Sequence, residues 1–219
     1  PIAEWGFGGA GGVYHSAYDD YNWMSRFGDP GFTRHAAAAR VGTAMLLRLA
    51  NADVVPYDYV EYARTMRRYL PAVASVFATV AWRDSAAVPL SGAIDRMERA
   101  AQTFAAARDA ALAAGPLRPA TARETNAALR RVERALTRGE GLRTRPWYRN
   151  LIYAADENNG YANVTFPSIV EAGRSGDEAL ARREAADLAR RFDTATAALV
   201  DATRAVAPGG AAATTGGRR

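Results

Sequence analysis

The sequence of 219 residues contains no cysteine and no lysine, and its only histidines are His15 and His35. The absence of cysteine excludes disulfide bonds and thiolate metal sites. Beyond the two histidines, any metal ligands that this chain supplies must be carboxylates. No apolar run approaches the roughly 20 residues that a membrane-spanning helix needs. The hydrophobic content of 49% is that of an ordinary globular protein.

All 28 basic residues are therefore arginines, and they give a net charge of +5 and a pI near 9.8. Such a charge invites a nucleic-acid interpretation. However, arginines alternate with acidic residues over positions 182–191, a pattern typical of solvated helix faces. We therefore expect no nucleic-acid partner. A basic helical nucleic-acid binder stays as an alternative that requires a salt-sensitive interaction with DNA or RNA.

Helical periodicity dominates the sequence from Asp29 onward. Asp29 and Pro30 combine a capping acceptor with a proline at the first helical position, and Asp58 opens the next helix. Three more helices are predicted to begin near Ser91, at Thr121 with an end at Gly139, and at Ser175. Antiparallel helices with short links predict a mainly α fold, an antiparallel helical bundle. Pro71 is expected to kink or split the second helix.

Three segments depart from this helical pattern. Residues 2–5 predict a short strand that cannot form a sheet alone, so this strand-loop stub needs a sheet that the rest of this chain does not contain. Residues 140–174 are aromatic and rich in turn residues, and a loop of this length is usually functional or a partner surface. Residues 208–219 are rich in glycine, alanine and threonine and predict a disordered tail.

The candidate chemistry begins at Tyr14 and His15, which follow the glycine pair Gly11 and Gly12. Glycines let the backbone approach a ligand, and an imidazole at such a loop can bind a metal. His35 lies on the following helix and is expected to be structural or on the surface. The sequence has no His-Glu-x-x-His motif, nucleophile elbow or P-loop. By themselves, these residues support one contributed metal ligand at most.

Three segments, GGVYHSAYDDYNW, LANADVVPYDY and RPWYRNLIYA, occur in this order and together resemble the C-terminal part of the glutamate carboxypeptidase II/transferrin receptor group of M28 zinc peptidases. The resemblance covers nearly the whole chain. It implies four successive parts. These are the strand-loop stub that ends the α/β peptidase domain (1–28), a connecting helix and linker (29–56), a transferrin-receptor-like helical dimerisation domain (57–207) with a substrate-side loop (140–174), and the tail (208–219).

The resemblance also implies roles near the amino-terminal end. In this family the histidine of the Tyr-His pair is the last ligand of a two-zinc centre, which corresponds to His15. The preceding tyrosine, Tyr14 here, donates its hydroxyl to the tetrahedral intermediate, as a phenol donor that stabilises an oxyanion. Asp19 and Asp20 are our own addition, because carboxylates nearby can orient a ligand or its loop through hydrogen bonds.

A second set of implied residues lies in the substrate-side loop. The family's tyrosine in this loop binds the terminal carboxylate of the substrate, which corresponds to Tyr161, with Asn159 beside it. Glutamate-selective members have a lysine immediately before that tyrosine, and this sequence has Gly160. The loss of that charge puts a preference for a C-terminal glutamate in doubt.

The remaining zinc ligands and the catalytic glutamate of the family lie upstream of the matched segments. The resemblance therefore implies that this chain is not catalytic alone and that zinc is bound with the upstream peptidase half or a companion fragment. It further implies a peptide substrate, a homodimer formed by the helical domain, and a secreted or periplasmic location. The alternative is a non-catalytic module for dimerisation or partner binding, as in transferrin receptors.

Overall fold

The computed structural model describes Gly6, residues 12–77 and residues 86–207. The predicted strand at residues 2–5 and the predicted tail at residues 208–219 lie outside these described residues. The chain divides into two compact units, Pro1–Ala52 and Asp53–Arg219. The described part is mainly helical, which confirms the predicted fold class. Within it, no helix combines the length and the apolar character needed to cross a bilayer.

The first unit contains α1 (Tyr21–Trp23), a π-helical turn (Met24–Gly28), a 3-10 turn (Pro30–Phe32) and α2 (Thr33–Ala50). The predicted helix start at Asp29 is displaced, because Gly31 and Phe32 both have positive φ and interrupt the helix. The Asp29 carboxylate is nevertheless buried and accepts hydrogen bonds from the backbone N–H groups of Arg34 and His35, at 3.0 and 2.9 Å.

Helix α2 leaves most of its apolar side chains exposed. Gly42 is its only buried residue, and Leu46 and Leu47 are 63% and 58% exposed. Ala36, Thr43 and Leu46 recur at helical spacing, and all three are exposed in this unit. The described residues of the unit contain no strand on which such a face could pack.

The second unit is a bundle of four long helices, α3 (Tyr59–Val76), α4 (Ala87–Ala113), α5 (Pro119–Ala135) and α7 (Glu178–Val206), with a shorter α6 (Pro167–Arg174). Helix α7 packs most extensively on α4 and α5, and also on α6, while α3 packs on α4. The largest fully buried side chains are Phe77, Leu90, Ile94, Met97, Phe104, Leu129, Leu136, Leu142, Leu151, Phe166, Ile169 and Phe192.

The capping prediction for α3 is confirmed, since the Asp58 carboxylate accepts a hydrogen bond from the backbone N–H of Glu61 at 2.9 Å. The prediction was a kink or a split at Pro71, and the helix continues through this residue without a split. Leu70 and Val73 are both buried on either side of the proline. Packing of these side chains stabilises the helix against the loss of one backbone hydrogen bond.

Four other predicted helix boundaries are wrong. Helix α4 begins at Ala87, before Ser91. Helix α5 begins with a proline in its first turn, at Pro119, and leaves Thr121 inside the helix, while its last residue is Ala135 rather than Gly139. Ser175 ends α6, and α7 is capped by Asp177, whose carboxylate accepts from the N–H of Leu180 at 2.8 Å.

The segment predicted as a long loop is largely ordered. Two strands, β1 (Tyr153–Ala155) and β2 (Asn163–Thr165), pair antiparallel with Ala154 opposite Val164. Phe166 follows β2 in a left-handed conformation (φ 49°), and Pro167 then starts α6. The hairpin and α6 were not predicted, because these elements are short and the many turn residues of this segment favour a loop.

Candidate functional site

Tyr14 and His15 form a stacked pair, with ring centroids 3.9 Å apart and ring planes inclined by 22°. Both residues are exposed, and Tyr14 retains 72% of its accessible surface. His15 has a φ of 63°, a value that residues other than glycine rarely adopt. The N–H of Ser16 donates to the carbonyl of Val13 at 2.9 Å and closes the turn. The turn thus presents two neighbouring aromatic polar rings to solvent.

Asp19 and Asp20 are both exposed. The Asp20 carboxylate accepts a hydrogen bond from the N–H of Trp23 at 2.8 Å and so caps α1. Among the described residues, neither carboxylate has a hydrogen bond to His15. Their expected role in orienting His15 stays a prediction.

Tyr161 lies in the turn between β1 and β2, where it is 90% exposed. The Asn159 side-chain oxygen accepts from the N–H of Tyr161 at 3.1 Å, and the Asn159 carbonyl accepts from the N–H of Ala162 at 2.9 Å. The N–H of Asp156 donates to the carbonyl of Ala162 at 2.8 Å and closes the base of the turn. Asn159 therefore shapes the backbone that carries Tyr161.

Asp156 fixes the same turn to α6. Its carboxylate accepts from the N–H of Asn158 at 2.8 Å and pairs with Arg174 at 3.0 Å. The hydrogen bond from Asn158, followed by the one from Arg174, holds the pKa of Asp156 below its usual range. Asp156 is thus anionic at neutral pH, and the ion pair ties the turn to the end of α6.

A second connection, buried this time, joins Arg145 to Glu171 of α6. The Arg145 guanidinium also donates to the carbonyl of Ala155, the last residue of β1, at 2.8 Å. It lies over the ring of Tyr148, 4.6 Å from the centroid. Arg145 and Glu171 were not predicted as site residues. The sequence signals that could have indicated them were the position of Arg145 beside aromatic residues and the position of Glu171 on a short helix.

The described residues do not fit a complete zinc centre. A catalytic zinc takes three protein ligands. Within the described ranges, no group of three or more His, Asp or Glu side chains is close enough to hold a metal ion. Of the two described histidines, His15 can contribute one imidazole nitrogen to a metal. The Nδ1 of His35 instead lies 2.7 Å from the Asp29 carboxylate. His35 therefore belongs to the cap of α2, and we derive no reaction step through a metal.

Comparisons with known proteins agree with the architecture of the second unit. The family of transferrin receptor-like dimerisation domains matches residues 87–200, more than half of the chain. The probable glutamate carboxypeptidase LAMP1 of Arabidopsis thaliana is 34% identical over 172 residues, which are 78% of this chain and 24% of that protein. A probable glutamate carboxypeptidase of Arthroderma benhamiae is 30% identical over 167 residues, 75% of this chain and 22% of that protein.

The aminopeptidase NAALADL1 of Rattus norvegicus is 27% identical over 198 residues, covering 90% of this chain and 26% of its own length. The chain thus spans about a quarter of the length of the curated relatives that it matches. These similarities confirm the resemblance to the C-terminal part of the glutamate carboxypeptidase II/transferrin receptor group. The chain belongs to the transferrin receptor-like dimerisation domain family, as a glutamate carboxypeptidase-like protein that carries this domain.

Proposed function

We propose that this chain supplies the C-terminal part of a two-zinc M28-type exopeptidase, with one metal ligand, substrate-binding side chains and a dimer interface. The observation that carries the proposal is the extent of the similarity to named peptidases. It reaches 90% of the chain, well beyond the dimerisation domain at residues 87–200. The chain contributes to catalysis only together with the rest of the peptidase domain.

In this proposal His15 is one zinc ligand and Tyr14 is a hydrogen-bond donor to the substrate oxyanion. Zinc, when bound in the complete protein, supplies an activated water and polarises the peptide carbonyl. The exposure of both rings on a tight turn supports these roles, because each polar edge is accessible to a ligand. A phenol fixed next to the metal ligand stabilises the negative charge that develops on the carbonyl oxygen.

Tyr161 is proposed to bind the terminal carboxylate of the peptide substrate. Its phenol is exposed on a turn that Asp156 and Arg174 hold to α6. The Asn159 side-chain oxygen is engaged by the Tyr161 N–H, which leaves the Asn159 amide NH2 as the donor for a substrate. Since Gly160 brings no charge, we propose no selectivity for a C-terminal glutamate.

The helical unit is proposed to form a homodimer. It exposes several large apolar side chains, of which Trp147 and Tyr153 are 73% and 50% exposed. A two-fold interface uses the same patch on both copies, and aromatic side chains are enriched at such interfaces.

The test is to replace His15 with alanine in the full-length protein and to measure zinc per chain together with hydrolysis of a peptide that has a free C-terminal carboxylate. We expect zinc content and activity to fall together. The control is His35→Gln in the same unit, which should leave the zinc content unchanged. Unchanged zinc in His15→Ala protein contradicts the ligand assignment.

The second candidate is a non-catalytic module for dimerisation or partner binding. It is favoured by the nature of the matched family, which is defined by dimerisation. The two functions differ in one measurement on the full-length protein. A dimer in sedimentation equilibrium that contains no zinc and hydrolyses no peptide supports the second candidate, whereas a zinc-containing, active dimer supports the first.

A further inference from the structure

A polar cleft of about 640 Å³ opens between the segment that follows α5 and one face of α7. It lies within the second unit and involves none of the residues proposed above for peptidase function. Its charged lining consists of Arg138, Arg143, Arg183, Arg190 and Arg191 with Glu140, Glu184 and Asp187. Five guanidinium groups against three carboxylates leave the cleft with a formal charge of +2.

The carboxylates of α7 in this cleft are already compensated. Arg138, which is only 5% exposed, donates to Glu184 at 2.8 Å and to the carbonyl of Gly141 at 2.7 Å. Arg191 donates to Asp187 at 2.7 Å. Arg138 and Arg191 therefore bind internal partners, and they neutralise the two carboxylates that α7 contributes to the cleft, Glu184 and Asp187.

Three further arginines surround the opening and keep their donors largely in solvent. The Arg143 side chain is 61% exposed, and its Nε is 4.0 Å from Glu184. The Arg190 side chain is 70% exposed and reaches Asp187 at 3.3 Å with one nitrogen. Arg183 is exposed and has no ion pair with the described residues. Each guanidinium has five N–H donors, so most of these donors are free to bind an added anion.

We propose that this cleft binds a phosphate-type dianion. Arginine forks match the geometry of phosphate oxygens and form paired, charge-assisted hydrogen bonds with them. A phosphate monoester carries about −1.5 to −2 charges at pH 7, which balances the formal +2 of the cleft. A single carboxylate leaves one positive charge uncompensated. The site is separate from the proposed peptidase function and does not depend on it.

The test is a calorimetric titration of the full chain with inorganic phosphate at low ionic strength. We expect saturable binding of one phosphate per chain that weakens as sodium chloride is added, because salt screens exposed charges. The double variant Arg143→Gln/Arg183→Gln should bind about a hundredfold more weakly, because it loses two charge-assisted contacts and each is worth about a factor of ten. Absence of saturable binding to the unmodified chain overturns the proposal.

The matched control is Arg99→Gln/Arg130→Gln, which removes the same charge from exposed positions of α4 and α5 outside the cleft. This control should bind inorganic phosphate like the unmodified chain. Equal weakening in both double variants overturns the proposal, because it shows attraction by the net charge alone. Thermal unfolding of each variant verifies that the bundle is intact.

The phosphoryl group can belong to a soluble molecule or to a lipid headgroup. Co-sedimentation with vesicles that contain phosphatidic acid tests for a lipid headgroup, and the titration with inorganic phosphate tests for a soluble ligand. Binding that requires Arg143 and Arg183 in either assay supports the site and identifies its source. Vesicle binding that is insensitive to these substitutions counts against it.

Discussion

Arg145 and Glu171 form an ion pair in which both side chains are more than nine-tenths buried, 8% and 2% exposed respectively. The pair joins the segment before the hairpin to α6, and Thr144 adds a hydroxyl hydrogen bond to the same carboxylate. The carbonyl of Ala155 accepts a further Arg145 hydrogen bond. One side chain therefore holds the end of β1 and α6 together, beneath the turn that carries Tyr161.

Replacement of Arg145 by alanine should destabilise the protein by about 3–5 kcal/mol, because it leaves the Glu171 carboxylate buried without a partner. Urea denaturation measures this change in the free energy of unfolding. The control is Arg131→Ala, which breaks an exposed pair with Asp201 and should cost below about 1 kcal/mol. Similar changes in the free energy of unfolding for both substitutions would show that the buried pair stabilises the protein no more than an exposed pair does.

The bundle could be predicted from the sequence because its apolar residues recur every three or four positions. Met66, Leu70 and Val73 of α3 and Phe77 at its C-cap follow this spacing, and all four are buried. This periodicity does not show where packing of core side chains keeps a helix continuous through a proline. Pro71 shows this, since the core contacts of its neighbours keep the helix continuous.

The candidate site was less predictable from local pattern. Tyr161 was identified only through the family resemblance, since an exposed tyrosine has no diagnostic spacing. The glycine loop by itself indicated His15 as one metal ligand at most, and its specific role came from the resemblance. Arg145 and Glu171 are 26 positions apart. Their pairing depends on how the hairpin folds back on α6, which is long-range information that periodicity does not contain.

Gly141 should be intolerant of a side chain. It has a φ of +72°, and a Cβ at this position would overlap the backbone carbonyl of Pro146. We expect Gly141→Ala to destabilise the protein by about 3 kcal/mol or more in thermal or urea unfolding. Gly139→Ala is the matched control, because a Cβ on Gly139 would meet no atom within 4 Å and its φ lies outside the left-handed region. A near-neutral Gly141→Ala would show that the 141–146 turn rearranges freely.

The cap of α2 should respond to acid. The His35 side-chain hydrogen bond, with further backbone N–H donors, holds the pKa of Asp29 well below its ordinary value of 3.8. A carboxylate whose pKa is lowered by folding stabilises the folded state above its unfolded pKa. This stabilisation should therefore be lost as the pH falls below about 4.

The measurement for this cap is the pH dependence of the NMR signals of the Arg34 and His35 amides, both of which donate to Asp29. These signals should change below pH 3.8 in the unmodified chain. In the Asp29→Asn variant the transition should disappear. Its persistence in that variant would assign the pH response to another group.

Tyr161→Phe in the full-length protein tests the proposed carboxylate contact. Removal of the phenol hydroxyl should raise KM by about tenfold or less, with a smaller effect on kcat, because one hydrogen bond to a charged group is lost. Tyr153→Phe is the control, since Tyr153 is half-exposed in the same hairpin but outside the turn. Unchanged KM in Tyr161→Phe protein, or an equal change in both variants, contradicts the substrate-binding role.

Helix α7 follows the other described elements in the sequence, yet α4, α5 and α6 all pack against it. During translation, these earlier helices therefore emerge from the ribosome before the surface that covers their apolar faces. The core can close only after α7 has been synthesised, so the apolar faces of the earlier helices stay open to aggregation and to chaperone binding until then. Contacts between sequence-distant helices should also make refolding slower than in bundles of sequential neighbours.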